Sequence, residues 1–176
     1  TSANAIDMEV SGDTLFVLMQ RYIGDGRNIT YPKGLLALFS IKDMENDYQD
    51  ASNALATIEL STTNPMSVKV VNGQVYVGTH ADYNGDYGVD ADAKRGIEKV
   101  DLAAGTSSMF VSGAKLGGGV ITMDVDYAAD KAFVAVRGAF YGAASVVEVN
   151  LATGTVKTID GLNDPEGGLS YDAKSG

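Results

Sequence analysis

Short bursts of alternating apolar and polar residues run along this chain, each ending at a turn rich in Gly, Asn or Asp. Met66-Ser-Val-Lys-Val-Val71 is followed by Gln74-Val-Tyr-Val-Gly-Thr79, with Asn72-Gly73 between them. Side chains on a strand change sides at every residue, so a period of two predicts strands with one buried face. Asn-Gly between two β-branched runs predicts a tight hairpin, because a type I′ turn needs positive φ at both central positions. Ser11-Gly12-Asp13 and Ala128-Ala129-Asp130 fill the same slot in two similar bursts. Helical periodicity of useful length is absent, so the pattern predicts an all-β chain.

The bursts recur in fours. The third and clearest set is Val120–Tyr127, Lys131–Val136, Ser145–Leu151 and Thr155–Ile159. The second is Met66–Val71, Gln74–Thr79, Gly96–Leu102 and Ser107–Val111, and the first, looser one is Ala5–Val10, Thr14–Met19, Gly34–Ile41 and Leu55–Leu60. Two turns are nearly the same hexapeptide, Asp101-Leu-Ala-Ala-Gly-Thr106 and Asn150-Leu-Ala-Thr-Gly-Thr155. First strands alternate, with Ile6, Met8 and Val10 matching Ile121, Met123 and Val125, whereas second strands such as Leu15–Met19 are apolar throughout. Loss of alternation is expected of a strand buried on both faces. A four-strand repeat of roughly 45 to 60 residues predicts β-propeller blades of four antiparallel strands. A β-sandwich of about a dozen strands is the alternative, and the repeated order of turn types argues against it.

The expected organisation is one β-propeller segment over 1–176, with blades at about 5–60, 66–112 and 120–160 and the start of another at 166–176. Closed propellers have roughly four to eight blades, so the ring is incomplete and its end sheets should expose faces that need a partner. The chain reads as an excerpt of a longer polypeptide. The expected partners are the remaining blades of that polypeptide or further copies of this chain.

Charge narrows the partners further. A net charge of −10 and a pI near 4.4, with thirteen scattered basic residues, argue against nucleic acid. Without Cys there is no disulfide framework, no thiolate chemistry and no Cys-based metal site. No window reaches the roughly twenty apolar residues that span a bilayer as a helix.

The order of hairpin, V-D/N-L-A-x-G-T turn and short fourth strand resembles the bacterial β-propeller repeats of YncE-like, NHL-like and quinoprotein-like proteins. The resemblance covers essentially the whole chain and implies architecture rather than activity. It also implies a secreted setting: extracellular, cell-surface or periplasmic.

Candidate chemistry lies in the loops after the second strands, which in such proteins share the face that binds ligands. Asp82-Tyr-Asn84-Gly-Asp86-Tyr-Gly88-Val-Asp90-Ala-Asp92 carries oxygen side chains at positions 1, 3, 5 and 9 of a calcium-type loop, with the Gly88 carbonyl at position 7. Tyr87 stands where such loops place Gly, and Ala93 where they place a bidentate acid, for which Asp92 substitutes one residue early. These residues, Asp82, Asn84, Asp86, Gly88, Asp90 and Asp92, are either a Ca2+ site or a solvated acidic loop held by Asx-turns. The acidic insertion at 43–50 has no Gly to fold it around an ion and reads as solvated. Aligning the second strands puts Gln20, His80 and Arg137 at equivalent exits, able to hold an anionic or sugar-like ligand or simply to satisfy loop carbonyls. Tyr83, Tyr87 and Tyr141 fall in the same loops and suit glycan or protein recognition. Tyr127 and Tyr171 occupy matching places after first strands and read as packing residues. Lys115-Leu-Gly-Gly-Gly119 reads as a connector.

Two functions follow. One is a noncatalytic propeller segment that presents loops to a protein or glycan, with calcium stabilising the display. The other is part of a propeller enzyme, a lactonase-like hydrolase or a quinone-dependent dehydrogenase. Against the second, few acids sit on first strands, Asp7, Glu9 and Asp124 among them, one His is present, and no nucleophile elbow is evident.

Overall fold

The computed structural model describes residues 2–24, 29–44, 53–80, 82, 94–139, 142–162 and 169–172. In chain order the elements are β1 (Ser2–Ser11), β2 (Thr14–Tyr22), β3 (Lys33–Ser40), a helical turn α1 (Ile41–Met44), β4 (Ala56–Thr63), β5 (Pro65–Val71), β6 (Gln74–Thr79), β7 (Gly96–Asp101), β8 (Thr106–Ser112), a helical turn α2 (Gly113–Leu116), β9 (Gly119–Asp126), β10 (Lys131–Arg137), β11 (Ala144–Asn150) and β12 (Val156–Ile159). They form three four-stranded antiparallel sheets in consecutive order, β1 to β4, β5 to β8 and β9 to β12, here sheets 1, 2 and 3. None of the three closes on itself. The predicted hairpin at Asn72-Gly73 has φ of 50° and 78°, the doubly positive pair that a type I′ turn requires. The insertion after β3 and the connector before β9 each open on one turn of helix, too short to leave a periodic signal.

The register repeats over the first three strands of each sheet. The first strand of each sheet carries one unpaired residue, a β-bulge, at Ile6, Met66 and Ile121. Two residues later, Met8, Val68 and Met123 stand opposite Val17, Val77 and Val134, which in turn face Ala37, Glu98 and Val147 on the third strand. Directly opposed residues share a face, so each sheet has a leading face, containing these positions, and a trailing face made of the residues between them.

The sheets pack in series, trailing face to leading face. β1 packs on β5 and β5 on β9, while β4 packs on β8. The trailing face of sheet 1, with Phe16, Leu18, Leu36, Leu38, Ile58 and Leu60, covers Val68, Val70, Val75, Val77 and Val100 of sheet 2. The trailing face of sheet 2, with Val71, Tyr76, Ile97 and Val111, covers Val120, Met123, Val125, Val134, Val147 and Val149 of sheet 3. Second strands lie between neighbours on both sides in sheet 2, which is why Val75, Tyr76 and Val77 are all buried and why alternation is lost there. Residues 169–172 follow on the trailing face of sheet 3. The Tyr171 ring stacks 4.7 Å from Phe133, and its N–H donates to Asp124 Oδ2 at 2.7 Å.

Candidate functional site

The exits of the second strands are the first place to look for chemistry. Gln20, His80 and Arg137 lie three residues beyond Val17, Val77 and Val134, so register places them at one level of three successive sheets. The connectors that enter the next sheet join them. Asn64, left-handed at φ 49°, accepts a hydrogen bond from the Gln20 amide, while its backbone carbonyl accepts the His80 N–H at 3.0 Å. The next connector passes between His80 and Arg137 so closely that a Cβ on Gly119 would lie 2.3 Å from the His80 carbonyl, and one on Gly118 2.5 Å from that of Arg137. Glycine is required here because backbone meets backbone. His80 is buried between the connectors, at 3% exposure, while Gln20 and Arg137 are half-buried. Arg95 reaches the same level, donating from Nη1 to the Gly138 carbonyl at 3.0 Å.

Asp82, the first residue of the predicted calcium loop, is anchored at this junction by a 2.8 Å hydrogen bond from Thr63 Oγ1. Burial and then the Asp82 charge push the Tyr31 phenol above its ordinary range. Asn84, Asp86, Gly88, Asp90 and Asp92 lie outside the described residues, as do Tyr83, Tyr87 and Tyr141. Among the described residues, no group of three or more His, Asp or Glu is placed to share an ion.

The first-strand acids tie the sheets together. Asp7 Oδ2 accepts the Val68 N–H at 2.8 Å and the Ser67 hydroxyl at 3.1 Å, both from sheet 2. Lys69 Nζ lies 3.7 Å from both Glu9 Oε2 and Asp124 Oδ1, bridging three first strands at equivalent positions. Tyr127 donates to Glu9 Oε1 at 2.7 Å, and burial together with that bond raises its phenol far above its usual value. Tyr171 donates to Asp126 Oδ2 at 3.0 Å, a bond that also raises its phenol. Asp7, Glu9 and Asp124 therefore each hold a neighbouring sheet or segment.

A buried group missed by the sequence reading is Glu98, in the middle of β7 and fully enclosed. Its carboxylate accepts from the Ser61 N–H and Ser61 Oγ, each at 3.0 Å, and from the hydroxyls of Thr62 and Ser107. Ser61 and Ser107 also line an open groove of about 610 Å³ whose rim carries Lys94 and Arg95. Four donors satisfy a carboxylate that would otherwise be costly to bury. The available signal was slight, because in Gly96-Ile-Glu-Lys-Val100 the acid stands beside Lys99 and reads as one of a solvated pair.

No helix among the described residues is long and apolar enough to cross a membrane. No protein-family model and no curated protein matches the chain.

Proposed function

We propose that this chain is a noncatalytic β-propeller segment, its three sheets acting as consecutive blades, that presents loops to a protein or glycan ligand outside the cell or in the periplasm. The observation that carries the reading is the fate of the polar groups nearest the first strands and second-strand exits. Asp7, Glu9, Lys69 and Asp124 bridge one sheet to the next, and the side chains of Gln20 and Asn64 are bonded to each other at a connector. Groups spent on holding sheets together are poorly disposed to transfer protons to a substrate. The blade reading draws further support from the shared bulge at Ile6, Met66 and Ile121 and from the packing of first strand on first strand. Binding then falls to the loops at 82–92 and 137–144, where Tyr83, Tyr87 and Tyr141 supply aromatic area and Asp82 to Asp92 supply oxygens for Ca2+.

Two measurements test it. Calcium at millimolar concentration raises the melting temperature by mass action, and Asp86→Ala abolishes the rise; an unchanged melting temperature removes calcium from the account. On a glycan and peptide array the chain retains ligands that a Tyr83→Ala/Tyr87→Ala variant loses. Turnover of lactone substrates by the chain overturns the noncatalytic reading.

A further inference from the structure

We infer that the groove between sheets 1 and 2 binds a uronic-acid-type saccharide, a ligand that carries hydroxyl donors and a carboxylate on one ring. The groove opens between β4 and β8, the last strands of their sheets. Its volume of about 610 Å³ lies within the span of about 300 to 1,000 Å³ usual for small-molecule sites. Four serines line it, Ser61, Ser107, Ser108 and Ser112, and Lys94 and Arg95 stand at its rim. Local positive charge beside a row of hydroxyls, on a chain whose net charge is −10, favours recognition by polar and charged pairing.

Glu98 decides which way the hydrogen bonds of the groove point. A hydroxyl has one proton to donate and two lone pairs. Ser61 Oγ donates to Glu98 Oε2 at 3.0 Å, and Ser107 Oγ donates to the same oxygen. Both protons are spent beneath the groove, so these half-buried serines offer a ligand only acceptor capacity. Ser61 Oγ keeps both lone pairs for it, and Ser107 Oγ keeps one, the other accepting the Ser61 N–H at 2.7 Å. A group seated on them has to donate, as a sugar hydroxyl does. The rim asks for the opposite. The Arg95 carbonyl accepts the Gly113 N–H at 2.6 Å, and its Nη1 donates to the Gly138 carbonyl at 3.0 Å. Its stem crosses Gly113 so closely that a Cβ there would lie 2.5 Å from the Arg95 Cγ. A guanidinium held along its length in this way is a preformed fork for a carboxylate, and the exposed Lys94 adds a second positive charge. The Glu98 carboxylate lies under the floor, where its charge disfavours a phosphate dianion more than a singly charged acid. Donors below and one anionic group at the rim are what a uronic acid supplies. The groove uses neither calcium nor the aromatic loops, so this site goes beyond the loop-bound ligand proposed above and stands apart from it.

Titration with trigalacturonate in calcium-free buffer, followed through backbone amide chemical shifts, tests it. The amides of Ser107, Ser108 and Ser112 shift in a saturable way. Two comparison ligands each bind at least about 10-fold more weakly: the fully methyl-esterified trisaccharide, which keeps the hydroxyls and loses the charge, and tricarballylate, which keeps three carboxylates and has no hydroxyl. Lys94→Glu, at an exposed position, also weakens binding at least about 10-fold, while Tyr83→Ala/Tyr87→Ala leaves it unchanged. No saturable shift at these amides, equal binding of either comparison ligand, or full affinity in Lys94→Glu overturns the inference. Loss of binding in the tyrosine variant overturns it too, because the saccharide then belongs to the loops.

Discussion

Between sheets 1 and 2 the core is interrupted by the carboxylate of Glu98, whereas between sheets 2 and 3 the same register position holds Val147. Both junctions bury a comparable set of aliphatic residues, so the difference lies in how the central position is satisfied. Val147 needs only volume around it. Glu98 needs donors, and it draws them from both edges of the junction, Ser61 and Thr62 on β4 and Ser107 on β8. An apolar junction tolerates a small slide at modest cost, while a carboxylate with four donors has one low-energy alignment. The first junction is therefore set by partners and the second by packing. Two buried hydrogen bonds cross the second junction, from Tyr76 Oη to the Leu151 carbonyl at 3.1 Å and from Ser67 Oγ to the Met123 carbonyl at 3.4 Å, and both are neutral.

The largest effect is expected from Glu98→Ala. It takes their shared acceptor from the hydroxyls of Ser61, Thr62 and Ser107, leaves the Ser61 N–H with Ser107 Oγ alone, and opens a cavity, which together cost about 3 to 5 kcal/mol. Chemical denaturation measures it. Replacing the acceptor together with two of its side-chain donors, with Glu98→Val, Ser61→Ala and Thr62→Val, and keeping Ser107 to accept the Ser61 N–H at 2.7 Å, recovers part of that loss. Failure to recover would show that the cluster contributes more than satisfaction of its own polar groups. At the second junction, Met123→Ala costs about 2 to 4 kcal/mol through lost contact and residual cavity, and no companion substitution of a polar neighbour restores it.

The smallest effect is electrostatic and lies at the first strands. The Tyr127 phenol is raised from its ordinary 10.0 by burial first and then by its hydrogen bond to Glu9. Above pH 10 the unfolded chain releases this proton while the folded chain keeps it. The contribution is fully present below that pH and drains away as the pH rises toward the folded value. Thermal melts from pH 8 to 11 should fall more steeply in the wild type than in Tyr127→Phe. Because the side chain is about half exposed, the difference is small and shrinks further with salt.

Much of the fold was legible because it is periodic and local. Asn72-Gly73 announced its hairpin, and the apolar runs located the strands to within about two residues at most ends. The matched level of Gln20, His80 and Arg137 was legible because the repeat carries register with it. The burial of His80 was not. It depends on Asn64, just before β5, and on Gly118-Gly119 at the entry to β9, which approach the strand exits to within contact. Glu98 escaped for a related reason: Ser61 and Thr62 arrive from another sheet, and nothing in β7 itself points to them. The helical turns α1 and α2 are four residues each, shorter than the period that would reveal them. Of the calcium loop only Asp82 lies within the described residues, and what appears there is an anchor to Thr63.

The central claim is that the three sheets repeat one register over their first three strands, each coupled chiefly to its neighbour, with the Tyr127–Glu9 bond tying sheet 3 to sheet 1 at the first strands. Hydrogen exchange on Glu98→Ala tests it most directly, since local stability follows contiguous units of structure. Amides of β1 to β4 should lose protection together with the facing strands β5 to β7, while β10 to β12 keep theirs. Equal loss across all three sheets, or loss confined to sheet 3, would contradict the serial account.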